Sequence, residues 1–243
     1  MARYSSTKWM ISTIVFVITI VCFAVWFCFF RLIYYCGHEG VSCVKQGIFG
    51  DYGFIDNETG EFVSRCQWKN IGWSFHEGMI KVQDDNGKWG YIDKMGRLIS
   101  PCQWTRTNRF SEGMAEVQDD NGKWGYIDKV GRLISPCQWT RTNRFSEGMA
   151  SVQDGNRKYG FIDRTGNVVI PCEWELAMDF NEGMARVRND DGKWWYIDMD
   201  GFLAIPCEWI DANDFSEGTA IVKDINRSRW RIDMVSAVVE KIP

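Results

Sequence analysis

From residue 41 onward, apolar and polar positions alternate in short runs separated by clusters of Asp, Asn and Gly, and no stretch keeps a helical period. The pattern predicts strands. One run, Met114-Ala115-Glu116-Val117-Gln118, leads into Asp119-Asp120-Asn121-Gly122, whose Asn-Gly pair suits the positive φ angles of a tight hairpin turn. The next run, Lys123 to Asp128, would place Trp124 and Tyr126 on one face and Gly125 and Ile127 on the other. Asp128-Lys129-Val130-Gly131 has Asp first and Gly last, as a type I turn prefers. A third run, Arg132 to Ser135, is expected to stop at Pro136. A Cys-x-Trp element and a polar loop then lead to Phe145-Ser146-Glu147-Gly148 and the next cycle.

The cycle is a repeat of 35 residues: Val82 to Ala115 and Val117 to Ala150 differ only at Met95 against Val130. Six units follow one another, near 41–78, 79–113, 114–148, 149–183, 184–218 and 219–243. The first carries extra turn residues, Asn57-Glu58-Thr59-Gly60. The last has Arg231 and Ser236 where Gly normally stands, as end units of a stacked array must differ from inner ones. The expected fold is all-β, six three-stranded units in an open β-solenoid, with a closed β-propeller as the alternative. The 13 tryptophans suit thin units that must share their interiors.

Ahead of the array the pattern changes. Residues 1–8 are short and polar, and residues 9–30, Trp9 to Phe30, carry no charge. As a helix the latter would reach about 33 Å, enough to cross a bilayer. We expect an uncleaved signal anchor. A cleaved signal peptide is the rival, weakened by the length of the run and the lack of an A-x-A-like site. Arg3 and Lys8 before the run favour a cytoplasmic N-terminus and outward-facing repeats, although Arg31 follows it closely.

Chemistry changes this picture little. A net charge of −4 gives no global basic field for nucleic acid. No nucleophile–base pairing, phosphate loop, metalloprotease motif or dinucleotide turn is present, so no enzyme activity, catalytic residue, cofactor or metal is expected. The recurrent Asp56, Asp93, Asp128, Asp163, Asp198 and Asp233 read as turn caps rather than a cation-binding ladder, and Asp84 to Gly87 as a turn rather than a calcium loop. Cys66, Cys102, Cys137, Cys172 and Cys207 recur once per unit. With three strands between equivalents they would lie roughly 14 Å apart, beyond disulfide reach, and they read as small buried hydrophobes. Cys36 and Cys43 leave one disulfide open. His38 and His76 are too few for a metal series.

The segments K-W-G-Y-I-D-x-x-G (from Lys88, Lys123 and, as Tyr159 and Phe161 variants, Lys158), I-P-C-E-W and F-S-E-G-M-A resemble the bacterial WG-repeat family over about residues 41–243. A further copy, Lys193 to Gly201, has Trp195 in place of the Gly. The resemblance implies a β-rich repeat domain of envelope and secreted proteins, and brings no catalytic residues.

Two residue series are candidate ligand contacts. The aromatic series Tyr52, Trp89, Trp124, Tyr159, Trp194 and Trp230 reads as the core seam, whereas the loop-side Trp104, Trp139, Trp174 and Trp209 have the better claim to solvent. The loops after them are basic in units two and three (Arg106, Arg109, Arg141, Arg144) and acidic in units four and five (Glu175, Asp179, Asp211, Asp214), so one edge of the array would change sign. The arginines could meet an anionic envelope polymer or lipid headgroups. The expected function is a membrane-anchored scaffold for protein partners at the cell envelope, with a carbohydrate- or wall-binding module as the alternative. Exposed, stacked tryptophans would favour glycan and buried ones protein.

Overall fold

The computed structural model describes residues 32–38, 40–47, 50–234 and 239–242, all of them strands, turns and loops. Among the described residues no helix is long and apolar enough to cross a membrane. The segments 1–8 and 9–30, with the anchor expected in them, lie outside the described residues. The chain divides into two compact units: residues up to Gly87 with Ile92–Leu98, and Lys88–Tyr91 with Ile99–Pro243.

The strands form six antiparallel sheets, each of four strands taken in chain order. The third sheet comprises Arg106–Thr107, Met114–Gln118, Trp124–Asp128 and Leu133–Trp139. The fourth comprises Arg141–Thr142, Met149–Gln153, Tyr159–Asp163 and Val168–Trp174. Three strands per unit was therefore one too few, which also removes the basis of the 14 Å cysteine spacing. The strand missed is two residues long: Val117 pairs with Thr107 and Gln118 with Arg106, closing one edge of the sheet. Four consecutive strands in 35 residues is the strand count of a propeller blade. Nor does the last strand stop at Pro136. It runs on to Trp139, with Trp124 facing Trp139 and Tyr126 facing Ser135 across a bulge. Proline is admitted because this is the other edge of the sheet, where a missing N–H leaves no ladder bond broken and deters pairing with another chain.

The bulge explains the glycine after each tryptophan. A Cβ placed on Gly125 would lie 2.5 Å from the Ser135 carbonyl oxygen and 3.0 Å from the Cys137 nitrogen, so the outer strand crosses directly over that bare backbone. The fifth sheet keeps the same register with Trp195 at this position, where the ring packs against the neighbouring core and its buried Nε1 finds no acceptor among the described residues.

Core side chains lie between successive sheets, not within one. Tyr126, Trp139 and Phe145 pack with Ala150, Val152 and Ile162 of the fourth sheet. Phe161, Ile170 and Phe180 pack with Ala185, Val187 and Ile197 of the fifth. Both faces of a middle sheet are thus covered, and Gly125, Tyr126 and Ile127 are all buried despite pointing in opposite directions. The deepest seam is made by the second aromatic of W-G-Y and the Phe of F-S-E-G, not by the first tryptophan. Tyr126 and Phe145 meet edge to face at 5.1 Å, Phe161 and Phe180 at 4.9 Å, Tyr196 and Phe215 at 4.9 Å. Burial pushes the Tyr126 hydroxyl well above its ordinary pKa, and it donates to the Asn143 carbonyl at 2.6 Å.

The turns divide the work. Asp119-Asp120-Asn121-Gly122 has a positive φ only at Gly122, and Asp119 N–H bonds the Lys123 carbonyl. This is a type I turn with a glycine bulge, not the turn with two positive φ angles expected at Asn121-Gly122. That two-positive turn occurs instead at Glu112-Gly113, with φ 51° and 83°, between Ser111 and Met114. Asp56, Asp93, Asp128, Asp163 and Asp198 are turn caps: Asp128 Oδ1, for example, accepts from the N–H groups of Val130 at 3.0 Å and Arg132 at 2.9 Å.

Glutamate, not aspartate, forms the ladder. Glu112 accepts from the N–H groups of Glu147 (2.7 Å) and Gly148 (2.8 Å), one repeat on. Glu147 does the same for Glu182 and Gly183, and Glu182 for Glu217 and Gly218. The positive φ of each Glu costs on the order of 1 kcal/mol locally and is offset by two charge-assisted bonds to the next unit. Burial works against ionisation of Glu112, but Arg164 at 2.7 Å and the two N–H groups outweigh it and hold the carboxyl below its usual range.

Candidate functional site: the row of short edge strands

The expected ligand contacts fall on one region, the two-residue strands and the loops that follow them. The structure separates the two sets of candidates. Trp139 and Trp209 are buried, and Trp104 and Trp174 are half-buried. Trp104 Nε1 donates to Ser100 Oγ at 2.9 Å and Trp139 Nε1 to Ser135 Oγ at 2.8 Å, from a serine four residues back on the same outer strand. At Trp174 the equivalent residue is Ile170, and its buried Nε1 has no acceptor among the described residues. Trp139, Trp174 and Trp209 pack into the cores between sheets, so of the four only the half-buried Trp104 and Trp174 keep part of their surface in solvent, and Trp139 and Trp209 lose the better claim to it.

The arginines are exposed as expected. Arg106 and Arg141 begin the short edge strands, and Arg109 and Arg144 lie three residues further on, all four in contact with solvent. Ion pairs join neighbouring sheets along the row: Arg144 holds Asp179 of the next loop at 3.4 Å, and Arg186, from the strand Ala185–Arg188, holds Asp214 at 2.6 Å. Glu175 is paired with Arg188 at 3.1 Å, and Asp211 with Lys223 at 2.6 Å. Each of these four acidic residues thus has a cation within the fold. Arg106 and Arg141 instead face neutral partners across the strand, Gln118 and Gln153. Among the described residues no carboxylate pairs with Arg106, Arg109 or Arg141.

Behind the row sits Glu116, buried to 6% exposure and hydrogen-bonded by the Asn108 amide. Burial pushes its carboxyl up from the usual value of 4.5; the Asn108 bond and Arg144 pull it down, and the charge of Asp179 pushes it up further. Asp179 is likewise raised, by burial first and by Asp214, against the pull of Arg144. A carboxyl whose folded pKa exceeds its unfolded one stabilises the fold only in its neutral form. The penalty is absent below the unfolded value and grows as pH rises through the folded one. Glu116→Gln is therefore expected to raise the melting temperature near pH 7 and to leave it unchanged near pH 4, read by thermal scans at both.

Cys66, Cys137 and Cys172 are free thiols. Cys36 and Cys43 lie opposite each other in the register of the first two strands, and the Cys36 side chain, on which the disulfide left open by the sequence depends, lies outside the described residues. Cys66, Cys102, Cys137 and Cys172 are half-buried rather than fully buried as expected, and burial raises the Cys137 and Cys172 thiols. Among the described residues no His, Cys, Asp or Glu cluster could hold a metal ion.

The crystal structure of the computationally designed Ika8 protein is similar over 84% of this chain and 71% of its own, at 12% identity and a TM-score of 0.45. Kluyvelomyces marxianus Hsv2 matches over 82% and 77% at 12% identity and 0.39, and the C-terminal WD40 domain of Sif2 over 86% and 67% at 10% and 0.37. No curated protein matches the sequence. The profile of the WG containing repeat matches residues 52–89, 89–124, 124–157, 159–194 and 196–226. With tandem matches across most of its length, the chain belongs to the WG containing repeat family.

Proposed function

We propose that this chain is a protein-interaction scaffold, held at a membrane by its 9–30 segment and engaging partners along the row of short edge strands. The observation that supports this reading is a contrast between constancy and change. Core aromatics, turn caps and the glutamate ladder repeat from sheet to sheet, whereas the leading residue of the edge strand runs Arg106, Arg141, Leu176, Asp211. A fixed spacing that carries variable side chains suits recognition of an extended partner. Burial of Trp139 and Trp209 breaks the row of exposed rings that the carbohydrate alternative calls for, and protein is the favoured class. No catalytic role is proposed.

Cross-linking of the full chain in its native membranes tests this reading. The wild type is expected to capture defined proteins that R106A/R141A/L176A/D211A captures less, with the chain remaining in the membrane pellet at alkaline pH. Identical capture by both forms would refute the edge as the contact, and release from the pellet would refute the anchor.

A further inference from the structure

We infer that Arg106, Arg109 and Arg141 form a binding site for an acidic, carboxylate-bearing peptide segment of a protein partner. This rests on the scaffold reading and names the chemistry of the partner. The sign change along the edge suggests a simple dipole, but the pairing rules that out. On the acidic side Glu175, Asp179, Asp211 and Asp214 are each neutralised by Arg188, Arg144, Lys223 and Arg186. On the basic side three guanidinium groups are exposed with no carboxylate among the described residues. The imbalance is positive and local, in a chain whose overall charge is −4.

The fold itself shows which ligand these positions take. Arg144 reaches forward one repeat and holds the carboxylate of Asp179. Arg109 occupies the same place one repeat earlier, but the residue one repeat ahead of it is Arg144, so the repeat supplies no carboxylate at the position where Asp179 completes the later pair. The edge strands repeat the argument. Asp211 lies opposite Lys223 and pairs with it, whereas Arg106 and Arg141 lie opposite Gln118 and Gln153. Carboxylates supplied from outside would restore what the later sheets have internally. All three positions are arginine rather than lysine, and its planar fork matches a carboxylate with two parallel bonds where a lysine gives only a point charge. Equivalent residues on adjacent sheets present the groups in sequence, which suits a chain segment better than a single small anion.

The test uses the full chain in detergent micelles and two labelled probes, a short oligoglutamate and an oligoglutamine of equal length, read by fluorescence anisotropy. The wild type should bind oligoglutamate in preference, with binding that weakens as salt is raised. R106Q/R109Q/R141Q should bind it about tenfold less tightly, three exposed pairs of modest strength each. Thermal scans check that the variant is folded. If it is not, R109Q alone carries the test, with about a threefold loss expected. Equal binding of the two probes, or unchanged binding by the variants, overturns the inference. So does a variant that loses attachment to phosphatidylglycerol vesicles while keeping its affinity for oligoglutamate, which would assign the arginines to lipid. Loss of the inference with partner capture intact would leave the scaffold reading standing, and loss of both would end both.

Discussion

Gly131→Ala should destabilise the protein by about 3 kcal/mol or more, read as a drop in the urea midpoint, whereas Gly113→Ala should cost only about 1 kcal/mol. The two glycines share a left-handed conformation, φ 81° and 83°, so the backbone penalty for an L side chain is the same at both. They differ in what surrounds them. A Cβ on Gly131 would lie 2.1 Å from the Ile99 carbonyl oxygen, on the outer strand one repeat earlier, and backbone cannot step aside as a flexible side chain would. A Cβ on Gly113 would meet nothing within 4 Å. Gly166 repeats the arrangement of Gly131 against the Ile134 carbonyl at 2.4 Å, so the close approach belongs to the stacking of one sheet on the next. An equal cost at the two positions would mean that this approach does not limit the packing.

Phe145→Ala carries the other large effect, about 3–5 kcal/mol by equilibrium unfolding. Phe145 is 2% exposed, sits edge to face on Tyr126 of the preceding sheet, and packs with Val152 and Ile162 of its own. Removing the ring opens a cavity at the junction of two sheets and leaves Tyr126 with its hydroxyl bond but without its aromatic neighbour. Tyr126→Phe isolates the smaller part, the buried bond to the Asn143 carbonyl, and should cost about 1 kcal/mol. A Phe145→Ala effect as small as that of Tyr126→Phe would show that the seam is not where the sheets are held together.

Much of this was legible in the sequence because repetition averages out local ambiguity. Three of the four strands, the Asp turn caps and the atypical end units follow from alternation and turn chemistry alone. The strand that escaped, Arg106–Thr107, is too short to show a period and resembles loop. In the sequence Pro136 reads as a stop because a proline forbids a central strand, and only the sheet order reveals that its strand is at an edge. Trp139 looked like a loop residue for the same reason, its position being set by a strand thought to have ended. The second aromatic, Tyr126, was assigned to one face with Trp124; sequence alternation describes faces, and here both faces are interior. The arginine edge was legible as a charge pattern. That its acidic half is already neutralised was not, since the cations come from other strands and, for Arg144, from the preceding repeat.

The glutamate ladder has a consequence for how such a chain can change. Each rung asks the same two things of its neighbour: a pair of backbone N–H groups ahead and a carboxylate behind. A block of one period copied into the middle of the row therefore arrives with both halves of the fastening and interrupts no existing one. The near-identical stretches Val82 to Ala115 and Val117 to Ala150 are what such an event would leave behind. Lengthening by duplication is structurally neutral at every internal joint, while the residues that differ between copies remain free to diverge at the exposed edge.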